Sequence, residues 1–268
     1  MIRQKMDDDS FFARFRRSFR MTIQEFFGKN PRAALAFSGG VDSAYLLYAG
    51  VAYGQDITAY YVRSEFQPQF ELDDAKRIAQ QLGAKLKVIE LSVLANPDVR
   101  SNGPRRCYYC KRRIFTLIAE QARQDGYFLL IDGTNASDDA GDRPGMQALK
   151  ELSVRSPLRE CGLTKEEIRT LSREAGLFTW SKPAYACLAT RLPTGTEITE
   201  HDLHITECAE AELFRLGFSD VRVRKLGDTA RIQLPEAQMK YLPERRAEII
   251  DRLKPYYKNI TLDLEARP

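Results

Sequence analysis

The chain has 268 residues, 43% of them hydrophobic, which suffices to bury the core of one large or two small domains and excludes disorder and collagen-like architecture. Charged residues make up 29%, and 41 Lys plus Arg against 37 Asp plus Glu leave +4, a surplus too mild to imply nucleic acid and equally suited to an anionic small ligand. No window approaches the run of about 20 apolar residues that a membrane span needs, so a soluble protein is expected.

Asp7, Asp8, Asp9 and Ser10 read as cap and dipole support for a helix over Phe11 to Arg20, with Phe12, Phe15 and Phe19 on one face. Four arginines within seven residues suggest a transit peptide or a membrane-surface helix. The acidic triplet argues against a transit peptide and favours a packed amphipathic helix.

From Ala33 the pattern alternates between strand and helix. Apolar runs at Ala33 to Phe37, Ile57 to Val62, Lys85 to Leu91 and Phe128 to Ile131 are strand candidates. Helical patterns separate them at Ser43 to Ala52, Phe70 to Leu82 and Arg112 to Gln124. The alternation predicts an α/β fold, a parallel twisted sheet with helices on both faces. Ligands then bind beyond the carboxyl ends of the strands, in the loops after Phe37, Val62, Leu91 and Ile131.

Residues 182–196 form a connection containing Pro and Gly with little helical periodicity. A helix follows from about Thr199 to Leu216, then a hairpin of Val221 to Leu226 and Ala230 to Leu234 through Gly227 and Asp228. A helix near Leu242 to Leu253 and a strand near Asn259 to Leu264 complete a small α+β domain. The expected organisation is an N-terminal helix (1–30), an α/β domain (31–181), a linker carrying Cys187 (182–196) and a small α+β domain (197–268).

The most informative segment is Ala34-Leu-Ala-Phe-Ser-Gly-Gly-Val-Asp-Ser43, where an apolar strand runs through two glycines into a helix. Glycines allow close approach to an anion, serines supply hydroxyls, and the helix start offers free N–H groups with a positive dipole end. Such a loop cradles phosphate, whereas an ordinary tight turn needs neither serine. GxxxxGK[ST] and GxGxxG are both absent.

SGGVDS resembles the pyrophosphate loop of the ATP pyrophosphatase (PP-loop, HUP-like) superfamily. Its members use ATP to adenylate a carbonyl or carboxylate oxygen, and a nucleophile then displaces AMP. The resemblance implies that Ser38, Gly39, Gly40, Asp42 and Ser43 bind the ATP phosphates. A second matching segment, Asp132-Gly-Thr-Asn-Ala-Ser-Asp138, follows a predicted strand; it implies Gly133, Thr134 and Asn135 at the nucleotide, with Asp42 or Asp138 on Mg²⁺.

Five cysteines are an odd number, and no charged-then-apolar leader precedes them, so a reducing cytoplasm is expected and a disulfide scaffold is not. Cys107-Tyr-Tyr-Cys110 is open to half a zinc site, a redox dithiol, half a cluster site or two buried thiols; on the ligand edge of the sheet, burial is the weaker explanation. His201 and His204 read equally as ligands or as an exposed helix face. Cys187 lies in an irregular segment where Lys182 and Arg191 are placed to favour thiolate. Cys161 and Cys208 read as small buried hydrophobes.

RRCYYCKRRIF, DGTNASD, DRPGMQAL, VRSPL, KPAYACLATRLPTGTEIT and VRVRKLGDTARIQL, in this order, resemble the LarE family of ATP-dependent sulfur transferases, which build the nickel-pincer nucleotide of lactate racemase. The resemblance implies adenylation of a carboxylate of pyridinium-3,5-biscarboxylic acid mononucleotide, replacement of oxygen by sulfur, and a homo-oligomer. Cys187 matches the sulfur-carrying cysteine, whose thiolate displaces AMP and becomes dehydroalanine after C–S cleavage. Some members carry three cysteines and hold a [4Fe-4S] cluster with one iron open for sulfide; Cys107, Cys110 and Cys187 fit that variant, which explains why CxxC and Cys187 coexist. The hairpin alternates Val221 and Val223 with Arg222 and Arg224, and the resemblance assigns the substrate phosphate to these arginines, where residue pattern alone reads a solvated strand face. Two other readings stand beside this one: a tRNA-thiolating enzyme, against which the +4 balance speaks weakly, and a non-catalytic nucleotide-responsive iron–sulfur or zinc sensor.

Overall fold

The computed structural model describes residues 21–138 and 144–267. The predicted helix over Phe11 to Arg20 lies outside the described residues, as do Asp142 and Arg143 of DRPGMQAL. Helix α1 (Ile23–Lys29) starts at a reciprocal cap between Thr22 and Glu25 and buries Phe26 and Phe27. It leads into β1 (Arg32–Ala36), α2 (Val41–Ala52), β2 (Asp56–Arg63), α3 (Gln69–Leu82), β3 (Lys85–Glu90), α4 (Arg106–Gln124) and β4 (Leu130–Asp132).

All four strands are parallel, in the order β3-β2-β1-β4. Period-two alternation sends adjacent side chains to opposite faces, as Tyr60 and Tyr61 show. Tyr61 joins Phe26, Leu35, Leu46, Leu72 and Ile78 in the core under α1, α2 and α3. Tyr60 joins Phe115, Ile118 and Leu149 on the other face. The sheet is thus covered on both sides, as the alternating pattern implies. The chain runs outward from β1 to β3 and returns to pair β4 with β1. That reversal opens a crevice beyond β1 and β4, where the loops after both strands meet.

After β4 come α5 (Pro144–Glu151) and α6 (Lys165–Glu174), the latter capped by Thr164 and Glu167. The segment from Lys182 onward is irregular apart from a 3₁₀ turn at Leu188–Arg191, yet Leu188, Ala189, Arg191 and Leu192 are buried. The last part holds α7 (Glu200–Arg215), the antiparallel pair β5 (Arg222–Leu226) and β6 (Thr229–Gln233), α8 (Arg246–Leu253), and β7 (Asn259–Leu262) parallel to β6. This mixed three-stranded sheet has its own core of Leu213, Val221, Val223, Ile232 and Leu253. Among the described residues no helix is long and apolar enough to cross a membrane.

Candidate active site

The loop after β1 holds its shape through its own atoms. Gly39 sits at φ +72°, a left-handed conformation that favours glycine. Ser43 Oγ donates to Gly40 O (3.2 Å) and accepts from Ser38 N (3.3 Å), while Gly40 N donates to Ser38 Oγ (3.4 Å). Gly40 is the N-cap of α2, so its first N–H groups face the crevice. The loop after β4 packs directly on that first turn: a Cβ on Gly133 would lie 2.9 Å from Ser43 N.

Two adjoining cavities open on this edge, of about 380 and 390 Å³. Ser38, Asp42 and Cys187 line both, and Gly40 lines the first. Ser43, Gly133, Thr134 and Asp138 line the second. Gly39 and Asn135 line neither. Gly39 packs under α3, and Asn135 is buried with its side chain accepting from Ser137 N (2.8 Å), so both shape the loops from behind.

Sequence reasoning missed several residues here. Lys165 and Arg169, one turn apart on α6, face the phosphate loop with Glu71 of α3. The Thr164 cap followed by two cations at i, i+4 was the available signal. Lys165 Nζ donates to Asp42 Oδ2 (2.6 Å), while Asp42 Oδ1 is buried and unpartnered. Burial raises the Asp42 carboxyl, with Lys165 opposing and Asp138 reinforcing the shift. An orphaned buried carboxylate oxygen with a second carboxylate in the same cavity fits Mg²⁺, which binds through one or two carboxylates plus phosphate oxygens. Among the described residues the Glu71 carboxylate has no hydrogen bond or ion pair, and burial lifts it to about 7 against the pull of Lys182 and Arg191.

Cys107, Cys110 and Cys187 all line the second cavity. Cys107 is exposed on the first turn of α4, with Arg106 Nη2 3.7 Å from its sulfur. Burial, reinforced by Cys187 and Cys107, pushes the Cys110 thiol up to about 12. Burial also raises Cys187, and the expected thiolate is not favoured. Lys182 is committed to Asp74, while Arg191, though paired with Glu210, lowers the Cys187 thiol and is outweighed by burial. Among the described residues no three His, Cys, Asp or Glu side chains gather tightly enough to hold a metal ion. A cluster asks for a looser arrangement, because each thiolate binds a different iron, and three soft donors on one cavity fit it.

Arg222 and Arg224 do not form a solvated face. Arg222 is 3% exposed and donates to Ala184 O (2.5 Å) and Val221 O (2.9 Å). Burial, with Arg191 and Arg267 nearby, pulls it down to about 10. Arg224 donates to Gln233 Oε1 (2.8 Å) and to Thr190 O. Cys161 packs against the main core as expected. Cys208 does not join a core: it is half-buried, with His204 Nε2 3.6 Å from its sulfur. His201 and His204 lie on an exposed helix face.

The profile of the queuosine biosynthesis protein QueC matches residues 32–101, the segment from β1 past β3. The tRNA-specific 2-thiouridylase MnmA of Pseudothermotoga lettingae is 28% identical over 188 residues, 56% of this chain and 54% of its own. With the parallel sheet and the Ser-Gly-Gly loop at its crevice, these matches define an ATP-dependent enzyme of the PP-loop pyrophosphatase class. An uncharacterised protein of Synechocystis is 39% identical over 249 residues, 91% of this chain and 92% of its own. The pyridinium-3,5-bisthiocarboxylic acid mononucleotide synthase of Lactiplantibacillus plantarum is 36% identical over 210 residues, 78% and 76% of the two chains. The chain belongs to the family of that synthase.

Proposed function

We propose that the protein is an ATP-dependent sulfur transferase that adenylates a carboxylate of pyridinium-3,5-biscarboxylic acid mononucleotide and replaces its oxygen by sulfur. One observation carries the reading: Cys187, Cys107 and Cys110 open on the same cavity as the phosphate loop. An activated carboxylate and a sulfur source must meet there before water reaches the adenylate.

The triphosphate lies along the α2 N-terminus, with Ser38 and Gly40 beneath it and Lys165 and Arg169 facing it. These donors stabilise the charge that develops on pyrophosphate as the carboxylate attacks the α-phosphorus. Asp42 and Asp138 would hold Mg²⁺, which neutralises phosphate charge when bound. Arg222 and Arg224 take the substrate's phosphate monoester. Cys107, Cys110 and Cys187 would hold a [4Fe-4S] cluster, which supplies an open iron for a transferable sulfide when bound. Their convergence on one cavity supports this variant over the sacrifice of Cys187, which needs neither Cys107 nor Cys110. The match to 2-thiouridylases spans about half of this chain, which supports a common ATP chemistry more than a common tRNA substrate.

The test is anaerobic turnover with ATP, Mg²⁺ and the biscarboxylate mononucleotide. Thiocarboxylate and pyrophosphate are expected, and Cys187→Ala should abolish sulfur transfer while pyrophosphate release persists. Full sulfur transfer by Cys187→Ala would sink both variants. Intact mass separates them, since loss of one sulfur marks sacrifice and an unchanged mass with broad iron–sulfur absorbance marks the cluster.

A further inference from the structure

The segment that carries Cys187 is tied down by guanidinium groups. Arg169 donates to Lys182 O (2.7 Å) and Trp180 O, Arg191 to Ala186 O (2.9 Å), and Arg106 to Ala189 O (3.0 Å). The remaining two ties are Arg222 to Ala184 O and Arg224 to Thr190 O, three residues before and three after Cys187. The 3₁₀ turn satisfies only Cys187 O and Ala189 O from within the segment, and these side chains complete the rest of its hydrogen bonding.

The five ties are not equivalent. Arg191 is buried and forks onto Glu210 at 2.7 and 3.1 Å, a pairing no incoming ligand can better. Among the described residues Arg224 pairs with no carboxylate. Around it, Arg191, Arg222, Arg231 and Arg267 share Glu210, Asp220 and Asp263, so five guanidinium groups face three carboxylates. Glu71 adds a fourth carboxyl near Arg191 and Arg222, lifted to about 7 by burial, and the cluster still carries more guanidinium than carboxylate, which suits a phosphate monoester dianion. A neutral carbonyl is the weaker acceptor for a guanidinium, because a phosphate adds charge–charge attraction and oxygens for a two-pronged fork that one carbonyl oxygen does not offer.

We propose that Arg222 and Arg224 are positioning residues that latch the Cys187 segment through Ala184 O and Thr190 O, and that a phosphate monoester displaces these carbonyls and frees the segment to move. The proposal rests on the functional reading in one respect, the assignment of the substrate phosphate to these arginines. Its consequence is a specificity rule: a substrate without the phosphate can be adenylated but leaves Cys187 latched.

Hydrogen exchange of the full chain tests it, because amide exchange reads the segment whatever the thiols bind. ATP and Mg²⁺ are kept saturating so that the phosphate loop is filled, and inorganic phosphate is compared with chloride at matched ionic strength. In the wild type, phosphate should speed exchange of the peptide spanning 182–192 roughly ten-fold by local opening. Arg224→Gln should exchange fast without phosphate and ignore it, and Arg224→Lys, which can still donate to Thr190 O, should stay slow and respond in part. Exchange of 182–192 that phosphate leaves unchanged or slows in the wild type would overturn the latch, and that arm does not depend on any variant folding. A phosphate response that persists in Arg224→Gln would overturn it as well. Thiocarboxylate production without the exchange response leaves the functional reading intact and removes the latch; the response without thiocarboxylate does the reverse.

Discussion

The phosphate loop and the Cys187 segment lie on one cavity and are held in opposite ways. The loop is stitched by Ser38, Gly40 and Ser43, within six residues of chain. The Cys187 segment draws its guanidinium partners from α4, α6 and β5, as far as 83 positions away. A self-contained loop is preorganised before ATP arrives, and preorganised donors cost no rearrangement during reaction. A segment held by others moves whenever one of them finds a better acceptor.

The largest expected effect that separates the two regions is on the segment. Glu210 is 1% exposed and accepts from Arg191, Tyr185 and Val223 N, so Glu210→Gln leaves a buried guanidinium uncompensated. Breaking such a pair costs about 3–5 kcal/mol, to be read from urea unfolding. ATP affinity measured by calorimetry should hardly change. Gly133→Ala is the converse. Its Cβ would meet Ser43 N at 2.9 Å, and overpacking of this kind costs about 1–3 kcal/mol. ATP affinity should fall sharply while exchange of 182–192 stays as in the wild type. If either variant damaged both regions equally, they would be one unit.

A third prediction concerns Glu71, between the two regions. Its folded pKa of about 7 is raised from the usual carboxylate range, so the folded state binds the extra proton. The associated stability is present below pH 4.5 and is lost as pH rises through 7. Glu71→Gln should flatten that part of the stability curve, measured by urea titration across pH; an unaltered slope would mean the carboxyl is solvated. The smallest effect lies at the opposite end of the sheet. Asp56 is held at about 2 by Tyr127, Lys85 and Arg32, so its contribution is lost only as pH falls toward 2. Its side chain is half-buried at the sheet edge, and with exposed partners such as Lys85 and Arg32 Asp56→Asn should cost at most about 1 kcal/mol at pH 7 with turnover unchanged.

The contrast also decides what the sequence made legible. Strands, helices and the Ser38–Ser43 loop are local patterns, and most appear within a residue or two of where periodicity places them; the exceptions are α4, which starts six residues earlier and takes in Cys107 and Cys110, and α8, which starts only at Arg246. The hairpin was equally plain, down to Gly227 and Asp228. The destination of Arg222 and Arg224 was not, because strand alternation assigns a face and says nothing of what covers it. Here the covering is the Cys187 segment, whose own lack of periodicity hid its burial. Cys187 lies on the cavity beside the phosphate loop, but its neighbours in sequence do not make it a thiolate: Lys182 is spent on Asp74, and the pull of Arg191, paired with Glu210, is outweighed by burial.

The meeting of Gly133 with Ser43 has a consequence for synthesis. A chain growing from its N-terminus can complete β1 to β3 and the phosphate loop long before Asp132 and Gly133 emerge, and Lys165 comes later still. The nucleotide crevice therefore lacks one wall until nearly half the chain is made, and the cation facing Asp42 arrives some thirty residues after that wall. A half-made molecule has the cradle but not the site, so the nucleotide crevice is complete only once the second half of the chain has begun to fold onto the first.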